Sequence, residues 1–238
     1  MSGHSKWSTI KRKKEITDQK RGAIFSKLSR VITMAVINGG SNDPAFNITL
    51  RLAILRARSF NMPKINIDRA VLKASSSEAK ALREMVYEGF GPSGVSFIIT
   101  ATTDNPSRTV SAIKQTLEKN NGKLGSENSV KHFFKKYGIV VFDKENVREE
   151  DIFIFSEEFE AYDIESGEEY VVYIPFDKMG IVHESKIGSL ADSVEVWYKP
   201  EITIPVTVKI EEKIHLLIGL LEDIDEVENV YTNYTKEI

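Results

Sequence analysis

The first 30 residues carry side chains suited to binding a phosphate backbone. Lysine and arginine recur there with few apolar residues between them, and one tryptophan lies among them. Each cation can neutralise a phosphate and release a counterion, which makes binding sensitive to salt, and an aromatic ring can stack on a base. The predicted nucleic-acid contacts in this segment are Lys6, Trp7, Lys11, Arg12, Lys13, Lys14, Lys20, Arg21, Lys27 and Arg30.

Two further arginines extend the set if helix packing places them on the same side. Arg51 and Arg58 are seven residues apart and therefore share one face of a helix. Simpler interpretations stay open at the level of sequence. The arginines could be ordinary surface charges, Trp7 could anchor the basic leader to the helices that follow, and the leader could be a solubilising arm.

The net charge of −3 conceals a strong asymmetry along the 238 residues. Residues 1–73 hold 15 Lys and Arg against 4 Asp and Glu, a net charge of +11. The remaining residues hold 17 basic and 31 acidic side chains, a net charge of −14. This polarity predicts a polyanionic partner for the basic part.

Several kinds of site are not expected. The chain has no cysteine, which excludes a disulfide scaffold, a zinc ribbon and a cysteine nucleophile and suits a reducing cytosol. No apolar run approaches the roughly 18 residues of a membrane span, and residues 1–22 lack the apolar region of a signal peptide. The histidines show no zinc-binding spacing. We therefore expect a cytoplasmic protein without membrane contact, cofactor, metal or catalytic residue; the histidines are His4, His132, His183 and His215.

Residues 89–94 match the G-x-G-x-x-G pattern of dinucleotide-binding proteins. That fingerprint must follow a strand and open a helix, whereas here a β-branched strand at 95–103 follows the glycines. Pro92 also removes an amide donor. We interpret the segment as a structural inter-domain turn. The loop at 125–129 could contact RNA through amides and hydroxyls, or be a plain connection.

Apolar periodicity predicts a three-helix bundle at residues 20–74. The first helix ends at 38–40, where two glycines favour a C-terminal cap. The second begins near Asn47, and Pro63 opens the third. For the second helix, the predicted inward residues are Ile48, Leu52 and Leu55.

After a serine linker at 75–77 the pattern changes to mixed strand and helix. Strands are predicted at 95–103, at 130–135 with 138–143 as a hairpin, and at 227–234, with helices starting at Asn105-Pro106 and running through Ile214, Leu217 and Leu221. This β-α-β-β-α-β order is that of the split βαβ plait. The segment 145–205 is acidic, with strands near 170–174 and 194–198 and a helix between them.

The predicted fold class is therefore α+β. An N-terminal three-helix bundle is followed by a ferredoxin-like split βαβ domain that carries an inserted small α/β domain. The predicted bounds are a basic helical domain at 1–76, a discontinuous ferredoxin-like domain at 77–144 plus 206–238, and an acidic insertion at 145–205.

The same residues closely resemble the YebC family, which includes the mitochondrial translational activator of cytochrome c oxidase. The resemblance covers almost the whole chain. Its most specific segments are Gly3-His4-Ser5-Lys6-Trp7, Asn61-Met62-Pro63, Tyr87-Glu88-Gly89-Phe90-Gly91-Pro92, Gly122-Lys123-Leu124-Gly125 and Asn229-Val230-Tyr231. The glycine-rich linker usual in the family is shortened here to 74–77, and the segment 145–205 matches only loosely.

This resemblance implies three domains, the third inserted into the second, and a cytoplasmic factor of a family long catalogued as probable transcriptional regulators. Some members look like translation factors. The implied nucleic-acid contacts are Lys6, Trp7, Lys11, Lys14, Lys20, Arg21 and Lys27.

The combined expectation is a non-enzymatic, monomeric factor that binds ribosomal or messenger RNA, docks on the ribosome and modulates translation. The alternatives are a DNA-binding transcriptional regulator that recognises promoter DNA and a module that interacts only with proteins.

Overall fold

The structure is a computed structural model that describes residues 18–76 and 79–237, without the side chains of 18–20 and 80. The α-helices are α1 Asp18–Gly39, α2 Ile48–Ser59, α3 Lys64–Lys73, α4 Pro106–Lys119, α5 Glu149–Glu158 and α6 Val208–Glu222. The strands are β1 Arg83–Phe90, β2 Ser96–Thr103, β3 Lys123–Leu124, β4 Phe134–Asp143, β5 Asp163–Ser166, β6 Glu169–Pro175, β7 Ser193–Pro200, β8 Ile204–Val206, β9 Val227–Thr232 and β10 Tyr234–Lys236. The chain is thus of mixed α+β class, as predicted.

The connection between α1 and α2 is organised around one buried amide. The side chain of Asn47 accepts a hydrogen bond from the Leu50 N–H at 3.0 Å, which caps α2, and donates to the carbonyl oxygens of Ala35 at 2.9 Å and Ser41 at 2.7 Å. A Cβ on Gly39 would lie 2.3 Å from this amide. Glycine is therefore required where α1 ends, and Gly40 follows with a positive φ of 66°.

The predicted inward face of α2 was wrong. Ile48, Leu52 and Leu55 are only partly buried. The fully buried positions have the i, i+3, i+4 and i+7 spacing of a single stripe, and this stripe lies on roughly the opposite face of α2 from the predicted one. These positions are Leu50, Ala53, Ile54 and Ala57.

The chain divides into two compact units. The first unit comprises residues up to 34, 72–135 and 198 to the C-terminus, and the second comprises 35–71 and 136–197. This division differs from the predicted one. The three-helix bundle, the insertion and the bounds of the three domains stay predictions.

The first unit contains an antiparallel sheet with strand order β3-β1-β2-β9. Alternate residues of β2 face α4 and α6 and form one core with them, in which Phe97, Ile113 and Leu217 are fully buried. A parallel pair, β8 and β10, lies beside this core. Burial of these side chains is the main stabilising contribution to the unit.

Two predictions about this region were wrong, and strand β1 was not predicted. The turn at 91–94 joins β1 to β2 as a hairpin within one sheet, so it is not an inter-domain turn. In place of the predicted hairpin at 130–143, a 3₁₀ turn at Lys131–Phe133 leads into one continuous strand, β4, which pairs with β6 of the other sheet. Gly138 does not form a turn there. A Cβ at this position would lie 2.3 Å from Cγ of Met179, so glycine serves close packing inside the strand.

The second unit contains a sheet with strand order β5-β6-β4-β7. Its core is built on β4 and β6, against which α5 packs through Ile152 and Phe155. The strands predicted near 170–174 and 194–198 are confirmed as β6 and β7. Between them lie only 3₁₀ segments, at Phe176–Glu184 and Gly188–Leu190, whereas the α-helix of this region precedes β5.

We expect Asn47→Ala to lower the free energy of unfolding by about 2–3 kcal/mol, because it removes a cap and leaves one buried and one partly buried carbonyl oxygen without their donor. Urea unfolding followed by circular dichroism measures this change. Asn66→Ala in α3 is the control and should change stability by less than about 0.5 kcal/mol. Equal effects of the two substitutions would contradict the role given to Asn47.

Candidate nucleic-acid interface

The predicted contacts differ in how far the structure describes them. Six of them, Lys6, Trp7, Lys11, Arg12, Lys13 and Lys14, lie outside the described residues. Lys20 is in the first turn of α1, but its side chain is not described. The remaining positions, Arg21, Lys27, Arg30, Arg51 and Arg58, can be placed. Arg21 is exposed, as are the two residues that follow it on α1.

Lys27 and Arg30, one turn apart on α1, form hydrogen bonds with the connection between α6 and β9. The ammonium group of Lys27 donates to the carbonyl oxygen of Glu222 and, at 2.8 Å, to that of Val227. The guanidinium group of Arg30 donates to the carbonyl oxygen of Asp225. Glu222 is the last residue of α6, so Lys27 lies at the negative end of that helix dipole.

The connection itself is strongly acidic. Five of the seven residues at 222–228, here called the acidic turn, are Asp or Glu. Two of its carboxylates are bound within the first unit: Glu226 accepts from Arg108 at 2.7 Å and 3.1 Å, and Glu228 accepts from Thr102 at 2.5 Å. The acidic turn is therefore held by β2 and α4 as well as by α1.

Arg51 and Arg58 have different surroundings in the second unit. Arg51 donates from Nε to the Pro44 carbonyl oxygen at 3.0 Å and from Nη2 to that of Ala45 at 3.1 Å. Arg58 is exposed, and the contacts of the described residues give its side chain no ion pair. The structure thus gives Lys27, Arg30 and Arg51 structural partners, and their assignment as nucleic-acid contacts stays a prediction.

The loop at 125–129, which could have contacted RNA, is ordered from inside by a buried carboxylate. Glu88 of β1 is 5% exposed and accepts hydrogen bonds from the N–H groups of Asn128 at 2.7 Å, Val130 at 2.7 Å and Lys131 at 2.9 Å. The carbonyl oxygen of Glu88 also accepts from Gly125 at 2.8 Å. These bonds give Glu88 a structural role that the sequence did not suggest beyond its position beside a turn.

The glycine-rich hairpin between β1 and β2 borders a shallow cleft of about 380 Å³. Its walls come from Phe90 and the hairpin on one side and from 121–123 on the other. A Cβ on Gly122 would lie 2.6 Å from the Phe90 carbonyl oxygen, so the two segments approach closely. The glycines lead into a strand, which is not the geometry of a dinucleotide fingerprint.

Across the described ranges 18–76 and 79–237, no three metal-ligating side chains are grouped as a metal site, and no helix is long and apolar enough to cross a membrane. Burial lowers the pKa of His183, assisted by the charge of Arg51, so this imidazole is neutral at pH 7. His4 lies outside the described residues.

Sequence reasoning missed one residue with an unusual exposure. Phe46 is 81% exposed between α1 and α2, in a loop that Arg51 contacts. The signal in the sequence that could have identified Phe46 was its position between the two helices. An aromatic residue two places after Pro44 and directly before the cap Asn47 belongs to neither helical stripe.

Comparisons with known proteins cover nearly the whole chain. A family model described as the TACO1/YebC protein N-terminal domain matches residues 5–77, and one described as the TACO1/YebC second and third domain matches 82–234. A probable transcriptional regulatory protein of Syntrophomonas wolfei is 41% identical over 98% of this chain and 96% of its own, and one of Acidithiobacillus ferrooxidans is 42% identical over 98% and 94%. The crystal structure of a conserved hypothetical protein from Aquifex aeolicus superposes with a TM-score of 0.81 at 33% identity and 93% coverage of both chains.

We expect Lys27→Met to lower the free energy of unfolding by about 1–2 kcal/mol, because it removes a charged donor from the C-terminal end of α6 while keeping the apolar stem. Thermal and urea unfolding measure this effect. Lys213→Met, at an exposed position of α6, is the matched control. An unchanged stability of Lys27→Met would show that its bonds to the acidic turn are not formed in solution.

We expect Glu88→Gln to destabilise the chain by about 1–3 kcal/mol, because an amide NH₂ must then face backbone N–H groups that a carboxylate accepted. Hydrogen exchange should show lost protection at Asn128, Val130 and Lys131 specifically. Glu127→Gln, on the exposed side of the same loop, should leave the exchange of these amides unchanged. If Glu127→Gln lowered the protection of these amides more than Glu88→Gln did, the Glu88 carboxylate would not be the group that orders this loop.

Proposed function

Because the chain belongs to the TACO1/YebC family, we propose that it is a cytoplasmic, nucleic-acid-binding regulator of gene expression that acts on RNA at the ribosome. In this proposal the basic N-terminal part supplies the phosphate contacts, and the acidic remainder faces protein or limits where the nucleic acid can lie. The protein acts by binding, as a monomer, and not by catalysis. The target is ribosomal or messenger RNA.

One observation carries the proposal, the net charge of +11 on residues 1–73 of a chain whose remainder carries −14. A folded polyanion such as RNA is the partner that such a segment would attract, since each cation placed near a phosphate releases a counterion. Unpaired and irregular RNA also offers exposed bases for aromatic side chains. We further propose the arrangement suggested by sequence, a helical basic domain followed by a split domain with an insertion.

A DNA-binding transcriptional regulator is the second candidate. The names of the relatives from Syntrophomonas wolfei and Acidithiobacillus ferrooxidans favour it, since both are called probable transcriptional regulatory proteins. Against it, neither α2 nor α3, the helices that could serve as the second helix of a helix-turn-helix, begins with a clear set of Asn, Gln and Arg suited to reading bases. Binding of the full chain to ribosomal RNA and to promoter duplexes at one salt concentration separates the two. A preference of about a thousandfold for one promoter over other DNA would favour transcription.

We expect replacement of Lys11, Arg12, Lys13 and Lys14 by glutamate to weaken RNA binding by roughly tenfold or more and to reduce the slope of log affinity against log salt by about three. Filter binding between 50 and 300 mM salt, the range over which such slopes are usually about linear, measures both quantities.

The matched control is the glutamate variant of four exposed lysines elsewhere in the chain. It changes the net charge by the same amount but should leave the slope nearly unchanged. The four positions are Lys119, Lys131, Lys209 and Lys213. If both variants lost affinity equally, the overall charge and not the N-terminal segment would govern binding, and if neither did, the proposal would fail.

A further inference from the structure

The loop at residues 41–47, here called the Phe46 loop, presents an aromatic ring to solvent. Phe46 is 81% exposed, more than any other large apolar side chain among the described residues. Scattered exposed apolar residues are common on protein surfaces and need no function by themselves. What distinguishes Phe46 is how firmly the loop around it is held.

Hydrogen bonds inside the Phe46 loop fix its backbone. The Asp43 N–H donates to Oγ of Ser41 at 3.1 Å, and the Ala45 N–H donates to Oδ1 of Asp43 at 2.9 Å. The Phe46 N–H donates to the Asp43 carbonyl oxygen at 3.0 Å. Ser41, Asp43 and Ala45 are therefore each tied to a neighbour within the loop.

Two side chains at the N-terminal end of α2, its cap Asn47 and Arg51, also hold the Phe46 loop. Arg51 binds the carbonyl oxygens of Pro44 and Ala45, and the buried amide of Asn47 binds that of Ser41. The backbone position of Phe46 is thus set before any partner arrives. A ring carried by a fixed backbone loses less conformational entropy on binding than one carried by a mobile loop.

The charge around the Phe46 loop indicates the class of partner. Residues 41–71 of the second unit contain five basic residues and two acidic residues, Asp43 and Asp68, and Arg58, Lys64 and Arg69 are exposed. The same unit offers a contrast in α5, where Phe153 is 56% exposed in a helix with five carboxylates and no cation. An anionic ligand with flat apolar groups is favoured at Phe46 and disfavoured at Phe153.

We propose that Phe46 stacks on an unpaired base of single-stranded RNA while the exposed cations of α2 and α3 contact phosphates elsewhere along the strand. The inference rests on the proposed function and goes beyond it, since it assigns a base-stacking residue outside the basic leader. Stacking needs a π face, uses any base, and requires that the base be free of its partner. An apolar pocket in a protein partner would not need an aromatic ring or the surrounding cations.

The test measures binding of the full chain to a labelled, unstructured 20-nucleotide RNA and to the same strand in a perfect RNA duplex. Phe46→Ala should lose about tenfold in affinity for the single strand, the usual scale for one stacked base, and nothing for the duplex. Phe46→Tyr should retain the affinity, and Phe46→Leu should lose it as alanine does. Phe153→Ala is the matched control and should bind both RNAs like the wild type.

The outcomes separate this inference from the proposed function. If the wild type binds neither RNA, both fail together. If the wild type binds and Phe46→Ala binds the single strand equally well, only the stacking role is overturned. Wild-type RNA affinity of Phe46→Leu would also overturn the stacking role, because an apolar contact would then be sufficient. An equal loss of affinity for single strand and duplex in Phe46→Ala would overturn it too, because the role of Phe46 would then be structural. Thermal unfolding of each variant verifies that the fold is unchanged.

Discussion

In the first unit, cationic side chains of α1 bind peptide carbonyl oxygens at the end of α6 and in the acidic turn. Lys27 and Arg30 donate to three carbonyl oxygens of the acidic turn, while its Glu226 and Glu228 carboxylates are bound to Arg108 and Thr102. A carbonyl oxygen carries only a partial charge. It can therefore fix the direction of a lysine or arginine without contributing the full negative charge of a carboxylate.

This arrangement bears on how a chain with such opposed charges can bind a polyanion. Five carboxylates at 222–228 repel phosphate, so a nucleic acid that approached Lys27 and Arg30 closely would also meet the acidic turn. Arg21, the last cation before Lys27 in α1, precedes it by six residues, which is more than one helical turn. We infer that these two residues orient α1, and that the phosphate contacts concentrate toward its N-terminal end.

Local sequence signals predicted the ends of the helices well. Gly39 and Gly40 mark the end of α1, Asn47 caps α2, and Asn105 with Pro106 opens α4, where the Asn105 side chain accepts from the Arg108 N–H at 3.0 Å. These signals act through hydrogen bonds between residues close in sequence. The strand pairing could not be obtained in the same way.

Strand β1 carries Glu88 and other charged residues, so its composition does not resemble that of a buried strand until the loop that Glu88 binds is known. Gly138 looked like a turn residue in the sequence. The residue that excludes a side chain there is Met179, which is 41 residues away in the chain. In both cases a residue type that favours a turn or a surface locally is explained by a contact distant in sequence. The same holds for α2, whose buried face depends on what packs around it.

The candidate interface was predictable in charge but not in geometry. The density of Lys and Arg identified the basic part, yet it could not distinguish a cation that faces solvent, such as Arg58, from one that orders a loop, such as Arg51. Phe46 illustrates the converse. A phenylalanine in a sequence is more often a core residue, and only the hydrogen bonds around the Phe46 loop show that its exposure is imposed by the backbone. An exposed ring indicates a function more strongly when buried hydrogen bonds, such as those of Asn47, fix the backbone that carries it.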